Sequence, residues 1–184
     1  NSAMLARAIR SVPQTAQAVG RRYISVGDKV PAVSDGLFAC RDGAAEAVTS
    51  EELFKGRKVV VFGLPGAFTP VCSARHLPGF IEKAEAFKAK GVDEIICLTP
   101  NDKFVSNAWA KDQKAGSAVT ILADGNVALT RALDMEEDMR HVGFGSRTNR
   151  YSMYVEDGVV KQLFAEENSG KFEVSDAEKM LAAL

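Results

Sequence analysis

The sequence predicts a single α/β domain: a mixed central sheet flanked by helices on both faces, with an N-terminal hairpin. From about residue 58 onward, short β-branched apolar runs alternate with amphipathic stretches, an order typical of parallel strands joined by helices. Near the end of the chain, Glu156-Asp157-Gly158 separates two further strand-like runs, which predicts an antiparallel closing hairpin. The 184 residues, 46% of them hydrophobic, are enough for one domain with a full core.

The central strands and the long helix are predicted from hydrophobic patterns. Residues 58–63 read KVVVFG, and the runs at 93–98 and 118–123 are also short and apolar, which predicts buried strands. Between the first two runs, apolar residues recur at spacings of three and four. This period predicts a helix over 73–90, which Pro78 is expected to kink in its early turns.

The other elements are predicted from turn and cap residues. They are an early hairpin around Arg41-Asp42-Gly43 (strands 37–40 and 47–49), a short helical turn from Ser50 to about Gly56, a helix after the cap residue Asn101 or Asp102, a helix over 127–133, an irregular polar region over 135–150, and a final helix over 174–181 with Ser175 as cap and Glu178 at the capping-box position. With parallel pairing early and antiparallel pairing at the end, this order predicts a thioredoxin-like fold.

Residues 1–26 differ from the rest and are predicted to form an N-terminal extension before a domain at 27–184. The first residues look like an expression-tag remnant ahead of a natural start at Met4. From Met4 to Val26 there are four arginines and no Asp or Glu, which is typical of organelle transit peptides. A mitochondrial or other organelle location is therefore predicted, and a cytoplasmic one otherwise. A docked or disordered arm is the structural alternative.

Composition excludes several classes of function. The formal net charge of -1 gives no electrostatic basis for nucleic-acid binding, which would need a basic stripe. No apolar run approaches the ~18 residues of a membrane span. Three cysteines, an odd number, do not predict a disulfide framework. They are instead expected to be thiols from a reducing compartment, so the setting of each one matters.

One cysteine lies at an element boundary rather than in an apolar stripe. Cys72 follows the strand at 58–63 through a loop rich in Pro, Gly and Thr, and it stands at the entrance of the predicted helix. Unpaired N–H groups and the positive end of the helix dipole lie at such a position, and both favour a thiolate over a thiol. The thiolate is the nucleophilic form, so this placement favours a reactive cysteine over an inert buried one.

Other chemistries fit the neighbourhood of Cys72 less well. Disulfide exchange through C-x-x-C is not supported, because the chain reads Cys72-Ser73-Ala74-Arg75. A metal clip of Cys72 and His76 would lack a second ligand pair, so no metal is predicted. A Cys-His hydrolase pair is also poor, since a His one turn into the same helix is badly placed as a base. His76 is expected to be a surface or packing residue.

The residues from Pro65 to Cys72 contain the P-x-x-x-T-x-x-C signature of peroxiredoxins. The string FGLPGAFTPVCSARHLPGF resembles the type II group, also called the peroxiredoxin 5 subfamily, and plant-like members in particular. Further matching strings are EKAEAFKAKGVDEIICLTPNDKFVSNAWA, ILADG, RYSMYVEDGVVK and GKFEVSDAEKML. Together they cover nearly everything from residue 27 to residue 184.

The resemblance implies a thiol peroxidase of hydrogen peroxide and small alkyl hydroperoxides, with these residues in its site. Cys72 would be the peroxidatic cysteine and would become a sulfenic acid. The Thr69 hydroxyl would hold the peroxide and the thiolate, and Pro65 would shield the sulfur from water. Arg150 matches the arginine that reaches the thiolate from a later strand. The backbone N–H groups of Val71 and Cys72 would contact the developing oxyanion.

Ionisation alone would not make such an enzyme. A free cysteine of pKa ~8.5 is already about 3% thiolate at pH 7, so full ionisation gains at most roughly 30-fold. Nucleophilicity falls with pKa, which removes part of that gain. The remainder must come from stabilising charge on the leaving oxygen, as a fixed guanidinium and an oriented hydroxyl do.

The sequence leaves the recycling step open. Cys97, in the strand at 93–98, has the spacing of the cysteine in plant members and is either a resolving thiol or a buried core residue. Animal members carry a resolving cysteine before the last helix, and this chain has none there. Cys40 is expected to be structural. No cofactor is predicted, and glutathione with glutaredoxin, or thioredoxin, is the expected external reductant.

Two alternatives to a peroxidase remain open: a peroxide-sensing relay that oxidises a partner protein, and a non-catalytic binding module. The resemblance also implies a homodimer that packs through loops near the site. The segment 141–149 is expected to form part of that contact.

Overall fold

The computed structural model describes residues 23–184. Within that range the strands are β1 (Leu37–Arg41), β2 (Ala44–Val48), β3 (Lys58–Gly63), β4 (Glu94–Thr99), β5 (Thr120–Ala123), β6 (Glu136–Asp138), β7 (Ser146–Thr148), β8 (Tyr151–Glu156) and β9 (Val159–Ala165). The helices are α1 (Ser50–Phe54), a π-helical turn (Cys72–His76), α2 (Leu77–Glu82), α3 (Ala84–Ala89), α4 (Lys103–Asp112), α5 (Ala128–Ala132), a 3-10 turn (Arg140–Val142) and α6 (Ala177–Ala183).

The predicted mixed sheet is confirmed. Seven strands form it in the order β2-β1-β5-β4-β3-β8-β9. The three central strands pair in parallel, β3 with β4 and β4 with β5. The early hairpin joins antiparallel to β5, and the closing hairpin joins antiparallel to β3. The parallel strands therefore all end at the same edge of the sheet, where the loop after β3 begins.

Helices cover both faces of the sheet, as predicted. Because side chains alternate along a strand, Val60 and Phe62 of β3 face one layer, which holds residues of α2, α3, α4 and α6. Val59 and Val61 face the other layer, which holds residues of α1 and α5. Burial of these two apolar layers fixes the register of β3 and hence the position of the loop that follows it.

The helix predicted over 73–90 is divided into three segments. Pro78 has no N–H to donate to Ala74, and its ring displaces the carbonyl of that residue. The turn from Cys72 to His76 is accordingly wider, with the Leu77 N–H donating to the Cys72 carbonyl, a π-helical pattern. A second break, not predicted, falls at Lys83, whose ψ of 7° ends α2.

Two predictions from the sequence are wrong. Residues 135–150 were expected to be mostly irregular, but β6, the 3-10 turn and β7 make up more than half of them, and β6 pairs with β7 in a small antiparallel sheet. Ser175 does not cap the final helix: the Asp176 carboxylate accepts from the Lys179 N–H and is the cap. Of the two residues predicted as caps for the helix after β4, Asn101 and Asp102, the cap of α4 is Asp102, whose carboxylate accepts from two N–H groups of that helix.

The predicted N-terminal extension lies outside the described residues as far as residue 22. From Tyr23 the chain follows the domain, because Ile24 is buried and its N–H donates to the Leu133 carbonyl. None of the helices between residues 23 and 184 is both long and apolar enough to cross a bilayer.

Candidate active site

Cys72 lies in the first turn of the helix that follows β3. The helix starts at Pro70, a residue that suits the first helical position because its missing N–H would have no partner there. The Thr69 carbonyl accepts the first helical bond, from the Ser73 N–H at 3.0 Å. The N–H groups of Val71 and Cys72 therefore belong to the turn in which helical N–H groups lack intrahelical acceptors.

Arg150, 78 residues further along the chain, contacts the sulfur of Cys72. It directly precedes β8, which pairs with β3 and brings residue 150 to the end of β3. Both Nη1 and Nη2 of Arg150 lie 3.6 Å from the Cys72 Sγ. Nε and Nη2 also donate to the Ser169 carbonyl, at 3.2 and 3.0 Å. The guanidinium is thus held in one orientation with its fork facing the sulfur.

His76 supports the same guanidinium from the helix. Its Nδ1 lies 3.1 Å from Arg150 Nη1, and its Nε2 lies 3.1 Å from the Ser175 carbonyl. A carbonyl only accepts, so Nε2 carries the proton and Nδ1 accepts from Arg150. Burial and the positive charge of Arg150 lower the pKa of His76 to about 3. The imidazole is therefore neutral at physiological pH.

The charge of Arg150 lacks a carboxylate partner. Arg150 is 2% exposed, and none of the ion pairs formed by residues 23–184 includes it. Its remaining contacts are a carbonyl oxygen, a neutral imidazole and the Phe172 ring, whose centroid lies 5.8 Å from the guanidinium carbon. A buried charge is unfavourable by several kcal/mol unless it is paired. The sulfur of Cys72 is the only neighbour of Arg150 in these bonds that can supply a negative charge.

The loop between β3 and Cys72 carries the other two predicted site residues, Pro65 and Thr69. The Thr69 hydroxyl donates to the Gly66 carbonyl at 2.7 Å, so its oxygen keeps its lone pairs for an incoming O–H. No hydrogen bond of the described chain joins Thr69 to Cys72. Pro65 is buried, and its carbonyl accepts from Arg147 Nη1 at 3.1 Å. Phe68 adopts a left-handed φ of 60°, an uncommon conformation for a bulky residue and a local strain of the kind found at functional sites.

Cys72 is more enclosed than the sequence suggested. The residue is 0% exposed, whereas Thr69 is partly exposed and Phe68 is exposed. An oxidant therefore reaches the sulfur only when this loop or the π-helical turn opens.

Cys97 lies in the core beside the site. It is buried in β4 between Phe62 of β3 and Ile121 of β5, in the same apolar layer as Cys72. Burial raises the pKa of its thiol well above the ordinary value, and negative charge on Cys72 raises it further. Because β4 is bonded on both edges, a disulfide between the two cysteines would require Cys72 to leave its helical turn.

Cys40 lies away from this cluster of polar groups. Its S–H points to the Lys103 carbonyl at 3.7 Å, and burial raises its pKa to about 11. Among residues 23–184, no group of three or more His, Cys, Asp or Glu is placed to hold a metal ion.

Sequence reasoning missed three supports of the site. His76 was expected to be a packing or surface residue, and it does pack, since it is buried against the rings of Phe62, Phe80 and Phe172. Its hydrogen bond with Arg150 was not predicted, although a spacing of four from Cys72 puts both residues on one helix face. That spacing was the available signal. No sequence signal pointed to the carbonyl groups of Ser169 and Ser175, because any residue type can supply a backbone acceptor.

Comparison with known proteins identifies the family of this chain. The family model described as Redoxin matches residues 25–181. Peroxiredoxin-2E-2, chloroplastic, of Oryza sativa subsp. japonica is 51% identical over 164 residues, which cover 88% of this chain and 72% of the relative. Peroxiredoxin-2E, chloroplastic, of Arabidopsis thaliana is 43% identical over 180 residues, which cover 97% of this chain and 74% of the relative.

A solved structure shares both the fold and much of the sequence. The crystal structure of reduced Prx3 in complex with H2O2 from Vibrio vulnificus aligns with a TM-score of 0.79 at 43% identity, over 87% of this chain and 98% of that chain. The chain therefore belongs to the Redoxin family and, within it, to the type II peroxiredoxins. It is a peroxidase of the oxidoreductase class.

Proposed function

We propose that the protein reduces hydrogen peroxide and small alkyl hydroperoxides through Cys72, in the cycle of a thiol peroxidase. The observation that carries this proposal is the pair of guanidinium nitrogens at 3.6 Å from the sulfur in a buried setting without a carboxylate. The guanidinium is thus placed to stabilise negative charge that develops beside the sulfur during the reaction. The Prx3 relative was crystallised with H2O2, which supports hydrogen peroxide as one substrate.

In the proposed reaction, the Cys72 thiolate attacks one oxygen of the peroxide. An S–O bond forms, the O–O bond breaks, and the leaving oxygen takes up a proton to depart as water or an alcohol. Arg150 and the N–H groups of Val71 and Cys72 stabilise the charge that moves to the leaving oxygen. The Thr69 oxygen accepts the O–H of the peroxide and orients it, and Pro65 keeps water from the sulfenic acid.

The sulfenic acid is then reduced by an external thiol, from glutathione with glutaredoxin or from thioredoxin. The thiol sulfur displaces water from the sulfenic acid, and a second thiol releases Cys72 and leaves an external disulfide. The position of Cys97 within β4 makes external reduction the simpler route. Intact mass after one equivalent of peroxide distinguishes the routes, because a sulfenic acid adds about one oxygen and a Cys72–Cys97 disulfide removes two hydrogens.

The decisive test of function is peroxide turnover with each reductant system. The wild type is expected to turn over with at least one of them, and Cys72→Ser is expected to be inactive. Cys40→Ser is the matched control, because it removes a buried thiol outside the site and is expected to leave turnover unchanged. Full turnover by Cys72→Ser would refute the proposal. A stable mixed disulfide with a partner protein and little turnover would instead indicate a redox relay.

We further propose a homodimer in which the segment 141–149 forms part of the contact. Val142 and Phe144 are exposed apolar residues, and Arg147 joins this segment to the active-site loop by stacking on the Phe144 ring and donating to Pro65. Sedimentation velocity over a concentration range tests the proposal. Phe144→Glu is expected to yield monomers. Val26→Glu, which changes another exposed apolar residue, is the control and is expected to leave the dimer intact.

An organelle location is proposed from the Arg-bearing N-terminal segment and from the two chloroplastic relatives. The mitochondrion has no support among these relatives and stays a prediction. Imaging of the chain with and without residues 4–22, a deletion that keeps the buried Ile24, tests the organelle proposal. Removal of a transit peptide is expected to leave the protein in the cytosol.

A further inference from the structure

Glu166 is a buried carboxylate at the end of β9 that organises the loop leading to α6. One of its oxygens, Oε1, accepts from the N–H groups of Glu173, Val174 and Ser175 at 2.8, 2.8 and 2.9 Å. The same oxygen accepts from the Ser175 hydroxyl at 2.8 Å. Burial alone would raise the pKa of this carboxyl, but these four donors outweigh it and lower the pKa. The loop is thus folded around an ionised carboxylate.

This loop supplies both backbone oxygens that hold the polar groups around Cys72. The Ser175 carbonyl binds His76 Nε2, and His76 Nδ1 accepts from Arg150. The Ser169 carbonyl accepts from two nitrogens of the same guanidinium. Two separate routes therefore connect the Glu166 loop to Arg150, one through the imidazole and one direct.

The backbone of Glu166 is bonded to the same part of the chain. Its N–H donates to the Arg150 carbonyl at 2.9 Å, and its carbonyl accepts from Asn149 Nδ2 at 2.9 Å. Glu137 holds the loop from its other side, by accepting from the Ser169 N–H at 2.9 Å. Glu166 therefore binds the loop through its carboxylate and the chain at Arg150 through its backbone.

We propose that Glu166 is a positioning residue for the peroxide reaction, which fixes the Arg150 guanidinium against the Cys72 sulfur without touching either reacting group. This inference rests on the proposed function. A fixed guanidinium needs no reorganisation when charge develops on the leaving oxygen. A misplacement of about 1 Å is enough to lower a rate on the order of 10²-fold. Loosening the loop is therefore expected to slow the reaction while Arg150 is still present.

The test compares Glu166→Gln with a matched variant elsewhere. Glu94→Gln changes a partly buried glutamate, which Arg41, Arg57 and Thr120 hold at the opposite end of the sheet. Both changes remove a carboxylate that accepts several hydrogen bonds, so both are expected to lower stability. Only Glu166→Gln is expected to lower the second-order rate constant of Cys72 with H2O2, by about 10- to 100-fold per folded molecule. If Glu166→Gln does not fold, Glu166→Asp and Glu94→Asp replace the pair with the same expectations.

A double-mutant cycle separates positioning from a general structural effect. In an Arg150→Gln background, Glu166→Gln is expected to lower the rate constant no further, because Glu166 acts through the guanidinium. Equal rate constants for Glu166→Gln and wild type, or additive losses in the cycle, overturn the inference.

The wild type and Cys72→Ser, measured in the same experiment, keep the two proposals apart. If the wild type does not react with peroxide, the proposed function fails and this inference fails with it. If the wild type reacts and Glu166→Gln reacts equally fast, only the role of Glu166 is refuted.

Discussion

At the scale of single residues, one group around Cys72 carries a positive charge and other groups orient it. Arg150 supplies a fixed positive charge, and its neutral partners, His76 and the Ser169 carbonyl, orient that charge without cancelling it. A carboxylate in either position would pair with the guanidinium and reduce the charge that it presents to the site. Because Arg150 has no acidic partner within residues 23–184, its positive charge stays available at the Cys72 sulfur.

Replacing Thr69 tests whether its hydroxyl orients the peroxide. The hydroxyl proton is directed to the Gly66 carbonyl, which leaves the oxygen as an acceptor. Thr69→Val keeps the shape and removes this oxygen, so the rate constant with H2O2 is expected to fall about 10²-fold or more. Thr69→Ser keeps the oxygen and is expected to remain within about 10-fold of the wild type. Stopped-flow measurement under single turnover decides, and equal rates for Thr69→Val and wild type would rule the role out.

The buried imidazole of His76 is expected to make the free energy of unfolding depend on pH. Its folded-state pKa of about 3 lies below the ~6.5 of an unfolded histidine. The unfolded chain therefore takes up a proton as the pH falls through 6.5, while the folded chain does not. The free energy of unfolding is expected to fall by about 1.4 kcal/mol per pH unit below 6.5 through this group alone.

Urea unfolding between pH 7 and pH 5 measures that slope. His76→Gln is expected to abolish it, whereas His141→Gln, at the exposed histidine, is expected to leave it in place. The same slope in wild type and His76→Gln would show that the buried imidazole is not its source.

At the scale of elements, the π-helical turn sets the relative positions of Cys72 and His76. Pro78 causes this turn, because it deprives the Ala74 carbonyl of its regular donor. The wider turn lets the sulfur and the imidazole both face Arg150. Because the sulfur is fully buried, peroxide reaches it only when this turn or the preceding loop opens.

Pro78→Ala tests the importance of this turn. The restored N–H is expected to regularise the helix and shift Cys72 relative to Arg150, which lowers the rate constant with H2O2 by about 10-fold or more. The free energy of unfolding is not expected to decrease, because a helical hydrogen bond is gained. Pro31→Ala, in a loop outside the site, is the control. A regular helix in a crystal structure of Pro78→Ala together with an unchanged rate constant would contradict the prediction.

At the scale of the whole molecule, the sheet and its two helical layers could be predicted because apolar periodicity encodes them directly. The closing hairpin and the central strands followed from short-range signals of the same kind. The break at Lys83 and the small sheet of β6 and β7 could not, since polar residues with no period form them.

The site itself was only partly predictable. The position of Cys72 at an element boundary identified it as a candidate, and the family resemblance alone identified Arg150. The pairing of β3 with β8 brings them together. The loop after β9 was not identified, because it acts through carbonyl groups and through a glutamate whose partners are backbone N–H groups. Such contacts depend on chain path rather than on residue type, so only the folded structure displays them.

The central claim is that Arg150 activates Cys72 toward peroxide across the folded molecule. The most direct test of this claim compares the single-turnover rate constants for H2O2 with wild type and with Arg150→Gln. The reaction is monitored by the fluorescence of Trp109, whose indole N–H donates to the Ser73 hydroxyl beside Cys72. Arg150→Gln is expected to react about 10²- to 10³-fold more slowly, while Arg57→Gln, at the far end of the sheet, reacts as the wild type does. Equal rate constants for Arg150→Gln and the wild type would contradict the claim.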